Sequence, residues 1–243
     1  VGLLTTEWIA AAVVIALASF VLGLVGFGNG LVAMALLPYL MSPRTAIAVL
    51  TIYTIVFSTA IFVPVRRHLL VRPVIDLLAG TAIGAPVGVW ILSLIPLAAL
   101  SRLIGGTLVA VVFLEWAGLR FGRLAGRGWR VGAGVLAGVA GATVGTPGPP
   151  VILYSATQGW SPRTIKANLQ AFFVVNQIVI LAGYWGVGIL DAHVWRLAAS
   201  FALPAAAGTA LGMVMFSRVD HRRFRQLVFA VLLVAGILLI VRG

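Results

Sequence analysis

Ten runs of apolar residues fill most of this chain, at roughly 8–25, 31–40, 44–63, 74–92, 97–118, 131–143, 150–158, 164–184, 194–216 and 226–241. A helix that crosses a bilayer needs about 20 consecutive apolar residues, and most of these runs are that long. Water is a poor solvent for such a chain. Of its 243 residues 62% are hydrophobic and 9% charged, whereas soluble domains carry about a quarter charged. Lipid must therefore be part of the solvent, and the expected class is an all-α polytopic membrane protein.

Three runs, 31–40, 131–143 and 150–158, are too short to cross. They flank two segments that would open a helix: Gly26, Phe27, Gly28, Asn29 and Gly30, and Gly145, Thr146, Pro147, Gly148, Pro149 and Pro150. Glycine admits backbone angles other residues avoid, and proline removes an amide donor. Open backbone at membrane depth is tolerated only where protein buries it or where it lines a wet cavity. The second segment begins 119 residues after the first, and Ser42-Pro43-Arg44-Thr45 recurs at the same offset as Ser161-Pro162-Arg163-Thr164. Gly84 and Gly88 reappear as Gly208 and Gly212, 124 residues on. The chain thus reads as two repeats, 1–122 and 123–243, within one integral membrane domain, the second carrying about five extra residues in its middle.

The formal net charge is +12. Its placement argues against nucleic acid as a partner. Arginines gather in short segments between apolar runs, at Arg66, Arg67 and Arg72, at Arg120, Arg123, Arg127 and Arg130, and at Arg218, Arg222, Arg223 and Arg225. That is the positive-inside pattern of cytoplasmic membrane loops. All three clusters lie on one side only if each broken pair enters and leaves by the same face. The expected architecture is then two inverted repeats, each a broken re-entrant half-helix pair plus three transmembrane helices, with both termini non-cytoplasmic. A full crossing by residues 8–25 would spoil this parity. Trp8, Trp116, Trp129, Trp160, Trp185 and Trp195 fall near run ends, where the headgroup layer favours them. Glycines four apart, Gly80, Gly84 and Gly88, then Gly134 and Gly138, read as helix-packing stripes.

The opened segments are the candidate site. Half-helices starting there would aim free amides and a positive dipole end inward, and in an inverted repeat the two N-termini would meet near the midplane. That makes an anion site without a buried cation. Kinks for packing alone are the competing reading; duplication of the break favours a site. The candidate substrate-binding residues are Gly26, Phe27, Gly28, Asn29, Gly30, Gly145, Thr146, Pro147, Gly148 and Pro149, with Asn168 and Gln170 from the polar run 164–184. That run also carries Asn176 and Gln177, and its counterpart carries Thr51, Tyr53, Thr54 and Ser58. Amides in a membrane helix are costly unless bonded. They either face the break or bond between helices, and the sequence leaves both open. Ser42 and Ser161 read as N-caps, each followed by proline at the first helical position. Arg44 and Arg163 read as interfacial rather than as guards of an entrance.

Other chemistry finds no support. There is no cysteine, which excludes disulfides and thiolate catalysis, and neither a metal site nor a cofactor is expected. His68, His193 and His221 fall in expected loops. Glu7, Asp76, Glu115, Asp191 and Asp220 avoid mid-span positions. No catalytic motif appears, so an enzyme is not expected. The first run lacks a basic n-region and a cleavage site, so no signal peptide is expected.

The paired signatures, GFGNG followed by Pro38 and GTPGPPVILY followed by SPRT, resemble those of the TauE/SafE family of membrane permeases. With the Gly84–Gly88 and Gly208–Gly212 segments, the resemblance covers nearly the whole chain. Asn29 stands where a family member often has glycine. The resemblance implies a multi-pass protein of the bacterial inner membrane that moves small sulfur-containing anions such as sulfite, thiosulfate or organosulfonates, with export the expected direction. Its partners would be a small anionic substrate and the lipid bilayer; homo-oligomerisation is left open. An anion channel using the same site, and a non-transporting scaffold or sensor, are the alternative functions.

Overall fold

A computed structural model describes residues 5–117, 122–215 and 221–242. Arg120, Arg218 and Asp220 lie outside the described residues, and so do the side chains of Arg222, Arg223 and Arg225. The described chain is helical. In order come α1 (Thr6–Val25), α2 (Asn29–Leu36), α3 (Pro43–Phe62), α4 (Val71–Leu94) and α5 (Leu97–Trp116). Then follow α6 (Arg127–Val144), α7 (Gly148–Ala156), α8 (Pro162–Gly186), α9 (Ala192–Ser200), α10 (Ala202–Met215) and α11 (His221–Arg242). Short 3-10 turns follow α2 and α3, at Leu37–Tyr39 and Val63–His68.

Local chemistry explains the starts. Ser42 and Ser161 cap α3 and α8: each Oγ accepts from the amide three residues on, Thr45 or Thr164, at 3.2 Å. Each also lies within hydrogen-bond reach of that threonine's hydroxyl, at 2.7 and 2.9 Å. Pro43 and Pro162 occupy the first helical position, where a missing N–H costs nothing. Asp191 caps α9 through Val194 N at 2.8 Å, and Thr5 caps α1 through Trp8 N at 3.3 Å.

The helices gather into two compact units. The first holds residues 1–50, 95–119 and 191–243, the second 51–94 and 120–190. Each therefore draws on segments from both sides of residue 122. In the first unit α1 packs along α10, α5 along α11, and α2 against α1, α5 and α11. In the second, α4 packs along α6 and α8, and α7 against α6 and α8.

Glycines set the closest approaches within each unit. A β-carbon on Gly84 would overlap the carbonyl oxygen of Val135, and one on Gly134 that of Leu77. In the first unit a β-carbon on Gly208 would overlap the carbonyl of Ala16, and one on Gly212 that of Phe20. Backbone meets backbone along both seams, as in the small-residue interfaces of membrane helices. The outward faces remain apolar: Trp90, Phe113, Leu203, Val214 and Val241 are all exposed, the pattern of side chains that meet lipid.

Five described helices are long and apolar enough to cross a membrane, or six spans if α9 and α10 form one. Three expectations change. Helix α1 has 20 residues and qualifies as a crossing in its own right, because no breaker interrupts it between the Thr5 cap and Gly26. Helix α6 is an 18-residue helix rather than a short arm. It begins four residues earlier than its apolar run, and Arg130 in its first turn is held by Asp76 of α4 at 2.7 Å. The run 194–216 is two helices bent by 48°. Phe201 sits in the bend, fully buried and stacked on Trp8 with ring centroids 5.5 Å apart. Trp8 Nε1 also donates to Ser200 Oγ at 3.3 Å. His193 lies within α9 rather than in a loop.

Candidate functional site

Each unit carries one opened helix pair. In the first, Gly26 ends α1 with φ 90° and donates its amide to Leu22 O at 2.7 Å. Gly28 precedes α2 with φ 89°, the left-handed region that side chains resist. Phe27, Gly28 and Asn29 are partly exposed, while Gly26 and Gly30 are buried. The first bond of α2 runs from Val32 N to Gly28 O at 3.1 Å. The amides of Gly30 and Leu31 lie ahead of it, at the positive end of the helix. No side chain caps this start.

The second break is built differently. Gly145 closes α6 with φ 71°, donating to Gly141 O at 3.1 Å, and Thr146 N reaches Ala140 O at 3.3 Å. Pro147 sits before Gly148, where α7 starts. Pro149 and Pro150 follow inside the first turn. Prolines carry no N–H, so that turn keeps only the amides of Gly148 and Val151. The expectation of two equivalent amide-lined N-termini is thus modified by composition: α7 has the dipole but few donors.

Side chains surround this second break. A β-carbon on Gly141 would lie 2.9 Å from Pro147 Cβ and 3.5 Å from Asn176 Nδ2, which places the break beside the amide of Asn176 on α8. A β-carbon on Gly148 would lie 3.8 Å from the ring of Phe173, one turn earlier than Asn176 on α8. Thr81 on α4 donates to Asn176 Oδ1 at 2.9 Å, and Asn176 Nδ2 donates to Gln177 Oε1 at 3.4 Å. Thr146 is buried with no partner on its hydroxyl. Tyr184 Oη donates to Ala142 O at 2.5 Å, satisfying one of the last carbonyls of α6. Thr143 Oγ1 donates to Gly88 O at 3.1 Å.

The two readings of the polar run now separate by residue. Asn168 Oδ1 accepts from Leu70 N at 2.8 Å, at the entry to α4, so Asn168 bonds between helices. Its Nδ2 is buried without a partner. Gln170 is fully buried. Asn176 does both things: it bonds Thr81 and borders the break. Arg44 donates to Ile95 O at 2.5 Å and ties the start of α3 to the segment before α5. Arg163 is exposed. Thr81, Asn176 and Gln177 were visible as polar residues, but only α4 and α8 packed together reveal that they form a chain. Their signal in sequence was an unexpected hydroxyl between Gly80 and Gly84, and an Asn-Gln pair inside an apolar run.

The units differ in interior chemistry. Thirteen described polar side chains are buried, eleven in the second unit and two, Ser19 and Thr209, in the first. None of the thirteen is charged. A buried donor left unbonded costs about 1–3 kcal/mol, so this concentration is not neutral packing.

A protein-family model described as sulfite exporter TauE/SafE matches residues 11–239. No curated protein and no solved structure gave a significant match. The matched stretch takes in both opened helices, both serine–proline caps and both glycine seams. With its exposed apolar faces and several membrane-length helices, this is a multi-pass membrane protein, and it belongs to the sulfite exporter TauE/SafE family.

Proposed function

We propose that this chain is a secondary transporter, working in the export direction, for small sulfur oxyanions such as sulfite, thiosulfate or organosulfonates. It works by alternating access in a bacterial inner membrane, and the candidate substrate-binding residues are Gly26–Gly30 in the first unit and Gly145–Pro149 with Asn168 and Gln170 in the second. The observation that carries this reading is the helix opened by left-handed glycines in each unit of a chain of this transporter family. Helix starts that lack capping side chains attract anions.

We further propose that residues 1–122 and 123–243 are inverted repeats. Support comes from seam contacts at matching offsets, Gly84 on Val135 and Gly208 on Ala16, and from the identical caps of α3 and α8.

The test is flux of radiolabelled sulfite through proteoliposomes holding the full chain. Saturable flux, competed by unlabelled sulfite, is the expected result. Unitary currents in planar bilayers would replace the transporter reading with a channel. An absence of flux for every sulfur anion, with folded protein in the vesicles, would overturn both.

A further inference from the structure

Resting on that transporter reading, we propose that Thr146 and the hydrogen-bond chain Thr81–Asn176–Gln177 bind the anion's oxygens, and that this site selects singly charged sulfur oxyanions over doubly charged ones. The chain has a direction. Thr81 donates to Asn176 Oδ1, and Asn176 Nδ2 donates to Gln177 Oε1. Polarisation runs along such a chain and strengthens its terminal donor. That terminus is Gln177 Nε2, the last donor of the chain. Asn176 retains a second N–H, and Thr146 retains its hydroxyl. A β-carbon on Gly141 would meet both Pro147, next in sequence to Thr146, and Asn176 Nδ2, which sets the Asn176 end of the chain beside the start of α7.

The charge preference follows from what the site lacks and what it holds. The donors named are all neutral, and none of the buried polar side chains among the described residues is charged. Pro149 and Pro150 strip two amides from the first turn of α7, which leaves a small set of neutral donors. The cost of taking an ion out of water rises with the square of its charge. A few neutral donors can match that cost for a sulfonate or hydrogensulfite. They match it less well for dianions such as sulfate, thiosulfate or the sulfite dianion, which are therefore held more weakly.

The experiment is a thermal-stability titration of the detergent-purified full chain with methanesulfonate and with sulfate at equal ionic strength. Wild-type protein should be stabilised more by methanesulfonate than by sulfate. Gln177→Leu, which keeps the volume and removes the donor, should weaken methanesulfonate binding about tenfold or more. Gln177→Glu, which adds a negative charge, should abolish it. Stabilisation by sulfate equal to or above that by methanesulfonate overturns the proposal, and this arm needs no variant. Unchanged methanesulfonate affinity in both Gln177→Leu and Thr146→Val overturns it too. If sulfite flux persists while either of those results is found, the transporter reading stands and this inference falls. If no sulfur anion binds or moves, both fall.

Discussion

Gly84 lies so close to Val135 that a β-carbon on the glycine would overlap the valine's carbonyl oxygen. Gly208, 124 residues further on, stands in the same relation to Ala16, which lies 119 residues before Val135. Gly88 with Val139 and Gly212 with Phe20 repeat the match one turn along. Each seam therefore joins a helix from one half of the sequence to a helix from the other. Such contacts bring Cα–H groups to carbonyls and give two membrane helices the closest packing available to them.

The seams predict opposite signs for the same substitution. Gly84→Ala and Gly208→Ala force backbones apart and should each cost about 1–3 kcal/mol. Gly106→Ala on α5 meets nothing within 4 Å. It should stabilise by up to about 1 kcal/mol, since alanine favours the helix. Thermal unfolding of the three variants in detergent checks the ranking; a seam variant as stable as Gly106→Ala would disprove the packing argument.

Asp76 predicts an unequal pair. It meets Arg130 Nε at 2.7 Å and Arg127 Nε at 3.0 Å, joining the starts of α4 and α6. The Arg130 side chain is 25% exposed and that of Arg127 75%. Solvent screens the second pair far more. Arg130→Ala should cost about 1–2 kcal/mol of stability, and Arg127→Ala no more than about 0.5 kcal/mol. Chemical denaturation in mixed micelles reads the difference, which should shrink in the Asp76→Ala background.

What could be read from sequence was local. The Ser42 and Ser161 caps follow from four residues each, and the positive-φ glycines of both breaks follow from glycine's own freedom. What depended on distant partners stayed hidden. Nothing near Asn168 announces that Leu70 N is its partner, and while Pro204 marks a break in the run 194–216, nothing local tells that Trp8 supports the bend at Phe201 from the other end of the chain. The full-length α1 was hidden for another reason: its apolar run ends at a breaker whether it crosses or turns back. The donor-poor start of α7 is legible in Pro149 and Pro150, which carry no N–H.

Tyr184 predicts a coupling between fold and site. Its hydroxyl holds Ala142 O, three residues before Gly145. Tyr184→Phe keeps the ring and leaves that buried carbonyl unbonded, which should cost about 1–3 kcal/mol. The loss should appear in thermal stability, and sulfite flux at a temperature where the variant remains folded should also fall, because the end of α6 positions the second break. Stability lost with flux unchanged would assign Tyr184 to packing alone.

The break glycines predict a dependence on backbone angle rather than on size. The nearest atom to a β-carbon on Gly28 is Val21 Cγ1 at 3.5 Å, an ordinary contact, so a side chain has room. The obstacle is φ 89°. A left-handed backbone costs an alanine about 1–2 kcal/mol, less for asparagine, whose side chain bonds locally, and more for a β-branched residue. At Gly145, with φ 71°, the same order holds. Sulfite flux and stability should therefore fall in the order asparagine, alanine, valine at both positions, although asparagine is larger than alanine. Proteoliposome flux and detergent melting of the six variants test this. A fall that tracks side-chain volume instead would mean that the space around the breaks, rather than their opened backbone, sets transport.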